Sequence, residues 1–391
     1  MVTVANKAGL EGISAGESAI CQIDEEKGGL QYRGYRVEDL AEQASFEEVA
    51  YLLLMGELPS HQELQAWKRE LDYAGFLPDP IPQVLRLVPA TAHLMDTLRT
   101  GVSLLGMMDS EANNASFEAN VHKATRLIAR LPLILSLAFQ SKQDKHQPIS
   151  AGTCAENLLY LLTGTRDKAN AKELEVSLIL YAEHEFNAST FAARVTASTW
   201  ADLYGGVTSA IATLKGPSHG GANEAVAEML VKIERPEKAK AWVLAALDRK
   251  ERVMGFGHRV LKLEDPRSVI MKRRAKALSE NMGEMRWYEM AEIMDQTMQE
   301  EKGLLPNLDF YTAVVYLLLK LPIKTYTPIF VTSRVAGWCA HIIEQQANNR
   351  IMRPRATYIG PPTREYLPIQ HRSSRGTIGP GISPPDDPVL N

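Results

Sequence analysis

Cysteine is almost missing from this chain. Only Cys21, Cys154 and Cys339 occur in 391 residues, far apart and with no Cys-x-x-Cys pair. That scarcity excludes a disulfide framework and a zinc ligand set, and it fits a reducing compartment. Long apolar runs are missing too. The longest, near 131–139, contains Pro132 and is too short to span a bilayer. The first residues, MVTVANKAGLEGI, hold no apolar stretch of signal-peptide length. Excess positive charge is also absent. The formal net charge of −4 leaves no footprint for nucleic acid, although a local basic pocket for an anionic ligand is compatible with it, because net charge averages such pockets away. The expectation is a soluble cytoplasmic protein with neither nucleic acid nor membrane as a partner.

What remains is ordinary globular material, 45% apolar and 23% charged. The length favours two domains over one core. Residues 10–35 are Gly-rich with short alternating stretches, which predicts small strands and turns. Beyond them the helical period dominates. Ser45-Phe-Glu-Glu48 is a capping box ahead of an apolar run that Gly56 and Pro59 close. Further helices are predicted near 61–73, 91–108, 117–139, 153–163, 170–184, 188–204, 222–234, 236–250, 266–281, 285–302, 309–320 and 328–347. The fold class is therefore all-α. No fixed repeat is visible, which argues against a solenoid. The tail from Arg375 is rich in Pro and Gly and is expected to be mobile.

Nine histidines are present. His61, His93, His122, His146 and His371 lie among polar residues or on plain helical faces, and His341, inside an apolar helix, reads as a packed residue. Three keep other company. His219 lies in Gly-Pro-Ser-His-Gly-Gly-Ala-Asn, ahead of a helix whose apolar face is Ala222, Ala225, Val226, Met229, Leu230 and Ile233. A helix N-terminus disfavours imidazolium, so His219 suits either a neutral donor to a developing enolate oxygen or a local cap. The two glycines after it would let a ligand approach the backbone. His258 lies in the tight loop Gly-Phe-Gly-His, followed by Asp265-Pro-Arg267. Arg267 in a first helical turn opposes the helix dipole, which points to an anion or to a solvated surface arginine. His184, in Ala-Glu-His-Glu-Phe-Asn between two helices, reads on its own as structural. Asp309 heads a very apolar helix. It is either an N-cap or a desolvated carboxylate fit to act as a base. No cluster of metal-ligating residues is apparent.

Together these segments resemble the citrate synthase family. The matches are Gly216-Pro-Ser-His-Gly-Gly-Ala-Asn223, Gly255-Phe-Gly-His258 with Asp265-Pro-Arg267, Pro306-Asn-Leu-Asp309, Phe330-Val-Thr-Ser-Arg334 and Arg353-Pro-Arg355, in the family's order, within a likeness running over about 10–360. The resemblance implies a mostly helical two-domain homodimer that condenses acetyl-CoA with oxaloacetate in the tricarboxylic acid cycle, with no permanently bound cofactor and no metal. The large domain would be 1–222 with 316–391, and the small domain 223–315. Asp309 would take the proton from the thioester methyl group, His219 would hold the thioester oxygen, and His258 would polarise the oxaloacetate carbonyl. His184, Arg267 and Arg334 would bind the carboxylates, with Arg353 lent by a second subunit. The loop Met254, Gly255, Phe256 and Gly257, with Lys262, would hold CoA, although a solvated basic face explains Lys262 equally well.

The short N-terminal segment resembles the compact dimeric branch, which implies no NADH control. The nearest rival is 2-methylcitrate synthase, which takes propionyl-CoA. One methylene is worth only about 1–3 kcal/mol in an apolar pocket, so dual activity is compatible with the sequence. A lyase acting on citryl-CoA and a non-catalytic scaffold are more distant. The first lacks a nucleotide-binding module here, and the second is at odds with the presence of His219, His258 and Asp309 together.

Overall fold

Ile20 and Cys21 dip into the core, and Tyr32 follows on the next strand. The computed structural model describes residues 8–10, 12–24, 29–89, 91–140, 152–258 and 264–372. The predicted strand region is a three-stranded antiparallel sheet. β1 (Cys21–Asp24) pairs with β2 (Gly29–Tyr32), Cys21 opposite Tyr32, and β2 pairs with β3 (Tyr35–Arg36).

The rest of the described chain is helical. α1 (Val37–Gln43), α2 (Phe46–Met55), α3 (His61–Ala74), α4 (Pro80–Arg86), α5 (Leu94–Met108) and α6 (Phe117–Gln140) come first. α7 (Cys154–Thr163), α8 (Lys168–Tyr181), α9 (Ala188–Ser198) and α10 (Leu203–Leu214) follow. α11 (Ala222–Ile233), α12 (Pro236–Asp248), α13 (Pro266–Met282), α14 (Arg286–Lys302), α15 (Leu308–Leu318) and α16 (Tyr326–Ala347) complete the set. Their ends are chemically fixed. Ser45 with Glu48, Ser60 with Glu63 and Thr153 with Glu156 form reciprocal capping boxes on α2, α3 and α7, each worth about 1 kcal/mol. α2 and α7 stop at left-handed Gly56 and Gly164.

Burial explains where the helices depart from expectation. The stretch 188–204 is not one helix. Trp200 turns the chain at φ +64° and Asp202 caps a new helix, α10. The Gly205-Gly206 pair disguises that helix, but Leu203, Val207, Ala210, Ile211 and Leu214 give it a buried face. A Cβ on Gly206 would lie 2.7 Å from Ile342, so the glycine serves helix contact and not a turn. Two short helices also went unpredicted. α1 is held by Val37, Leu40 and Ala41 in the core, and α4 starts on Pro80, whose missing N–H costs nothing at a first helical position.

α16 is the axis of the molecule. Almost every residue on it is buried, and α2, α5, α6, α8, α9, α10 and α11 pack around it. α11 to α15 pack largely among themselves, α12 on α14 and both α11 and α13 on α15. Residues up to Met352 form one compact unit; the second unit, Arg353–Asn391, is exposed through its described part, which includes a 3-10 turn at Ile369–His371. No helix among the described residues is long and apolar enough to cross a membrane. Lys262 and the tail from Arg375 lie outside the described residues.

Candidate active site

The C-terminal end of α8 is the foundation of the site. A helix leaves its last carbonyls without partners, and here side chains from other elements supply them. The Tyr32 hydroxyl donates to Leu180 O at 3.1 Å and Glu183 O at 2.9 Å, the Ser333 hydroxyl donates to Leu178 O, and Arg334 Nε donates to Tyr181 O at 2.6 Å. The turn after α8 is thereby locked between the sheet and α16, and it presents His184.

His184 is buried and its ring lies 5.0 Å from that of His258. Its Nε2 has no hydrogen-bond partner among the described residues, a costly state for a buried polar atom. Burial, reinforced by Arg267, His258 and Arg334, pushes its pKa well below the usual histidine value. It is a neutral ring with an unmet hydrogen-bonding atom among buried guanidinium groups.

Arg267 and Arg334 are only 5% and 2% exposed. Asp265 caps α13 and grips Arg267 with two bonds, Nε at 3.0 Å and an Nη at 2.9 Å. The surface reading of Arg267 is thus excluded. Arg334 makes no ion pair among the described residues, and its charge is kept inside the protein by the Tyr181 carbonyl and the face of Phe330 at 4.7 Å.

His258 ends a loop that needs glycine. Gly255 sits at φ +88° and Gly257 at φ +78°, and a Cβ on Gly255 would lie 2.7 Å from Val226 and 2.8 Å from Phe310. Gly257 N–H donates to Leu305 O at 2.9 Å, and Phe256 bridges to Pro306 and packs its ring on Phe310. The loop Met254, Gly255, Phe256, Gly257 is therefore bonded to the strand of chain that leads into Asp309. Burial, then the Arg267 charge, push His258 down to about 4.

Neither cap reading survives in its simple form. Asp309 is not the N-cap of α15. Asn307 is, its Oδ1 accepting from Asp309 N–H at 3.1 Å. The half-buried Asp309 carboxylate accepts instead from the Tyr181 hydroxyl at 2.5 Å. Burial is the largest influence and outweighs the lowering effects of Tyr181, Arg267 and Arg334, so its pKa rises to about 6. His219 does not cap α11 either, which begins at Gly221 with no side-chain bond. Its Nε2 accepts from Ser189 N–H at 3.2 Å, in the first turn of α9, and lies 2.9 Å from the Ser189 hydroxyl. An Nε2 that accepts leaves Nδ1 as the protonated donor. Burial, then Arg334, bring His219 to about 4, so it is neutral near pH 7. Gly220 is needed for packing, since its Cβ would lie 2.5 Å from Leu214 O, whereas Gly221 faces open space.

The charges of Arg267 and Arg334 bear on His184 and Asp309, that of Arg267 on His258 and that of Arg334 on His219, which groups these six residues electrostatically. Arg353 opens the second unit and is exposed. His341, expected to be packed, is indeed buried, with Nε2 3.0 Å from Glu183 and Nδ1 3.0 Å from Arg194. Tyr181, Asn223, Ser189 and Asn307 escaped the sequence reading. Tyr181 looks like any core residue of α8, and only Asn307, inside Pro-Asn-Leu-Asp, carried a local signal, a capping residue two before an acid.

Residues 9–355 match the family described as citrate synthase, C-terminal domain. A 2-methylcitrate synthase of Shewanella oneidensis is 45% identical over 93% of this chain and 98% of its own. Citrate synthase 2 of Bacillus subtilis is 44% identical over 93% of this chain and 99% of its own. The citrate synthase of Thermoplasma acidophilum, solved as a ternary complex with carboxymethyl coenzyme A and oxaloacetate, superposes with a TM-score of 0.87 at 34% identity, covering 93% of this chain and 98% of that one. The chain belongs to the citrate synthase family of condensing, acyl-transferring enzymes.

Proposed function

We propose that this protein condenses acetyl-CoA with oxaloacetate and hydrolyses the resulting citryl-CoA to citrate and CoA, as a tricarboxylic acid cycle enzyme of the cytoplasm. The observation that carries the reading is Asp309, a carboxylate raised to about 6 by burial, with a phenol on one oxygen and buried Arg267 and Arg334 close enough to influence it. A thioester α-proton is weakly acidic, and its removal needs a desolvated base together with a donor on the oxygen. In this reading Asp309 takes the proton from the thioester methyl group, and His219 Nδ1–H donates to the thioester oxygen as charge moves onto it. The carbon then attacks the keto carbon of oxaloacetate, whose oxygen His258 polarises. Water finally cleaves the thioester and releases the CoA thiol.

Oxaloacetate is a small dianion, and Arg267, Arg334 and the unsatisfied His184 Nε2 suit its carboxylates. Arg353 would complete the set from a second subunit of a homodimer, an assignment its exposure allows. The loop 254–257, with Lys262, would hold CoA. No resident cofactor enters these steps. The grouping of α11 to α15 supports a small domain at 223–315 moving against 1–222 with 316–391, and closure would exclude water until condensation is complete.

Relatives at nearly equal identity carry the names 2-methylcitrate synthase and citrate synthase, so propionyl-CoA is a compatible second acyl substrate. The deciding assay measures CoA thiol release with oxaloacetate and either thioester. Higher kcat/KM with acetyl-CoA is expected. Faster turnover of propionyl-CoA would move the assignment to 2-methylcitrate synthase, and no release with either would overturn the proposal.

A further inference from the structure

Asp309 has two oxygens, and the structure treats them differently. Oδ1 accepts the Tyr181 hydroxyl proton at 2.5 Å. The Tyr181 oxygen in turn accepts from Asn223 Nδ2 at 2.7 Å. Asn223 lies in the first turn of α11, Tyr181 closes α8 and Asp309 opens α15, so this two-bond chain ties three helix ends together. Each member is fixed from behind. The Tyr181 ring packs on Phe330 with centroids 4.4 Å apart, and its carbonyl holds Arg334. Asn223 is 2% exposed, and its Oδ1 makes no hydrogen bond among the described residues, so the amide's hydrogen bonding there is what its nitrogen donates.

The directions are forced by chemistry. An amide nitrogen only donates, so the phenol oxygen spends a lone pair on Asn223 and its single proton goes to the carboxylate. Charge-assisted bonds of this kind are short and strong. We propose that Tyr181 is a positioning residue for the base, holding Asp309 Oδ1 so that the other oxygen faces the substrate, and that Asn223 aims the Tyr181 proton. The inference rests on Asp309 being the base.

The other groups bearing on Asp309 are Arg267 and Asp265 at the head of α13, Arg334 on α16 and Tyr316 on α15. None of them is altered by removing one phenol oxygen. Tyr181→Phe should therefore act through the lost bond alone. The carboxylate loses a donor to its charged form, so the acidic limb of kcat/KM against pH moves upward, by roughly one to two pH units. On the plateau, kcat falls about tenfold while the KM for oxaloacetate stays within about twofold, because the Tyr181 carbonyl still holds Arg334. Asn223→Leu, similar in shape, should move the limb the same way by less.

An acidic limb for Tyr181→Phe that overlays the wild type, in protein with a normal far-ultraviolet spectrum and melt, would overturn the proposal. Asp309→Asn separates this failure from failure of the base assignment. If that variant is inactive while the Tyr181→Phe limb has not moved, only the tyrosine role falls. If it turns over normally, both fall.

Discussion

Asp265 and Asp309 occupy the same kind of place, the head of a helix, and the protein treats them in opposite ways. Asp265 caps α13, is 2% exposed and takes both bonds of the Arg267 fork. Burial alone would push it up, but Arg267, its hydrogen bonds and His258 together hold it below the ordinary carboxylate range. Asp309 has ceded the cap to Asn307 and has a neutral phenol where Asp265 has a guanidinium. Burial therefore wins there, and its pKa climbs to about 6. The contrast shows that desolvation raises a carboxylate when no cation is bonded to it directly. Asp265 is built to stay an anion, and Asp309 is built to change.

The comparison breaks most visibly in activity. Asp309→Asn should lower kcat by about 10²- to 10⁴-fold, the usual contribution of a general base, with no loss of fold. Undiminished turnover would remove Asp309 from the chemistry. In the wild type, kcat/KM should fall with a one-proton slope below about pH 6, because His219 and His258, both near 4, remain neutral there. The sign of the stability effect is unusual for an aspartate. Its pKa is higher folded than unfolded, so the folded state keeps the proton longer and ionisation costs stability as pH rises from about 4 to about 6. The Asn variant escapes that cost. Melts at pH 7 should place it at or above the wild type, by about 1–3 kcal/mol.

Asp265→Asn should behave in the reverse sense. Asn still caps a helix, but Arg267 is left buried without its anion, a loss of about 3–5 kcal/mol. Because Asp265 is depressed in the folded state, its contribution is present above the unfolded carboxylate pKa and disappears as pH falls. The melting temperatures of variant and wild type should thus differ most near pH 7 and converge in acid. Equal melts at pH 7 would mean that the two aspartates are not built differently after all.

Much of this was legible in the chain, and the part that was not has a physical pattern. The helical period located most helices because each has one buried face. It failed at α10, where Gly205 and Gly206 imitate a loop and the contact with Ile342 that requires Gly206 is remote in sequence. His219, His258, Asp309 and Arg267 could be singled out because glycines, prolines and misplaced charges surround them, whereas Arg334 and Arg353 came only with the family resemblance. Tyr181 and Asn223 could not, since an aromatic at the end of a helix and an amide after Gly-Gly-Ala have no local oddity. Their meaning exists only once three helix ends meet. Nor could Asn307 be distinguished from Asp309 as the cap before their geometry was known.

Asn307 offers the smallest and most discriminating test. Its backbone N–H donates to Gly255 O at 2.9 Å and its Nδ2 to Gly257 O at 3.1 Å, while its Oδ1 caps the helix that carries Asp309. One residue thus ties the loop proposed to hold CoA to the head of the helix bearing the proposed base. Ser keeps the capping oxygen and cuts the bond to Gly257, while Ala loses both. Asn307→Ser should melt close to the wild type and Asn307→Ala about 1 kcal/mol lower. Both should raise the KM for acyl-CoA several-fold and leave that for oxaloacetate unchanged, since Arg267 and Arg334 stand on other helices. An acyl-CoA KM that follows stability, rising in Ala but not in Ser, would mean that the cap alone matters and that loop and base are positioned independently.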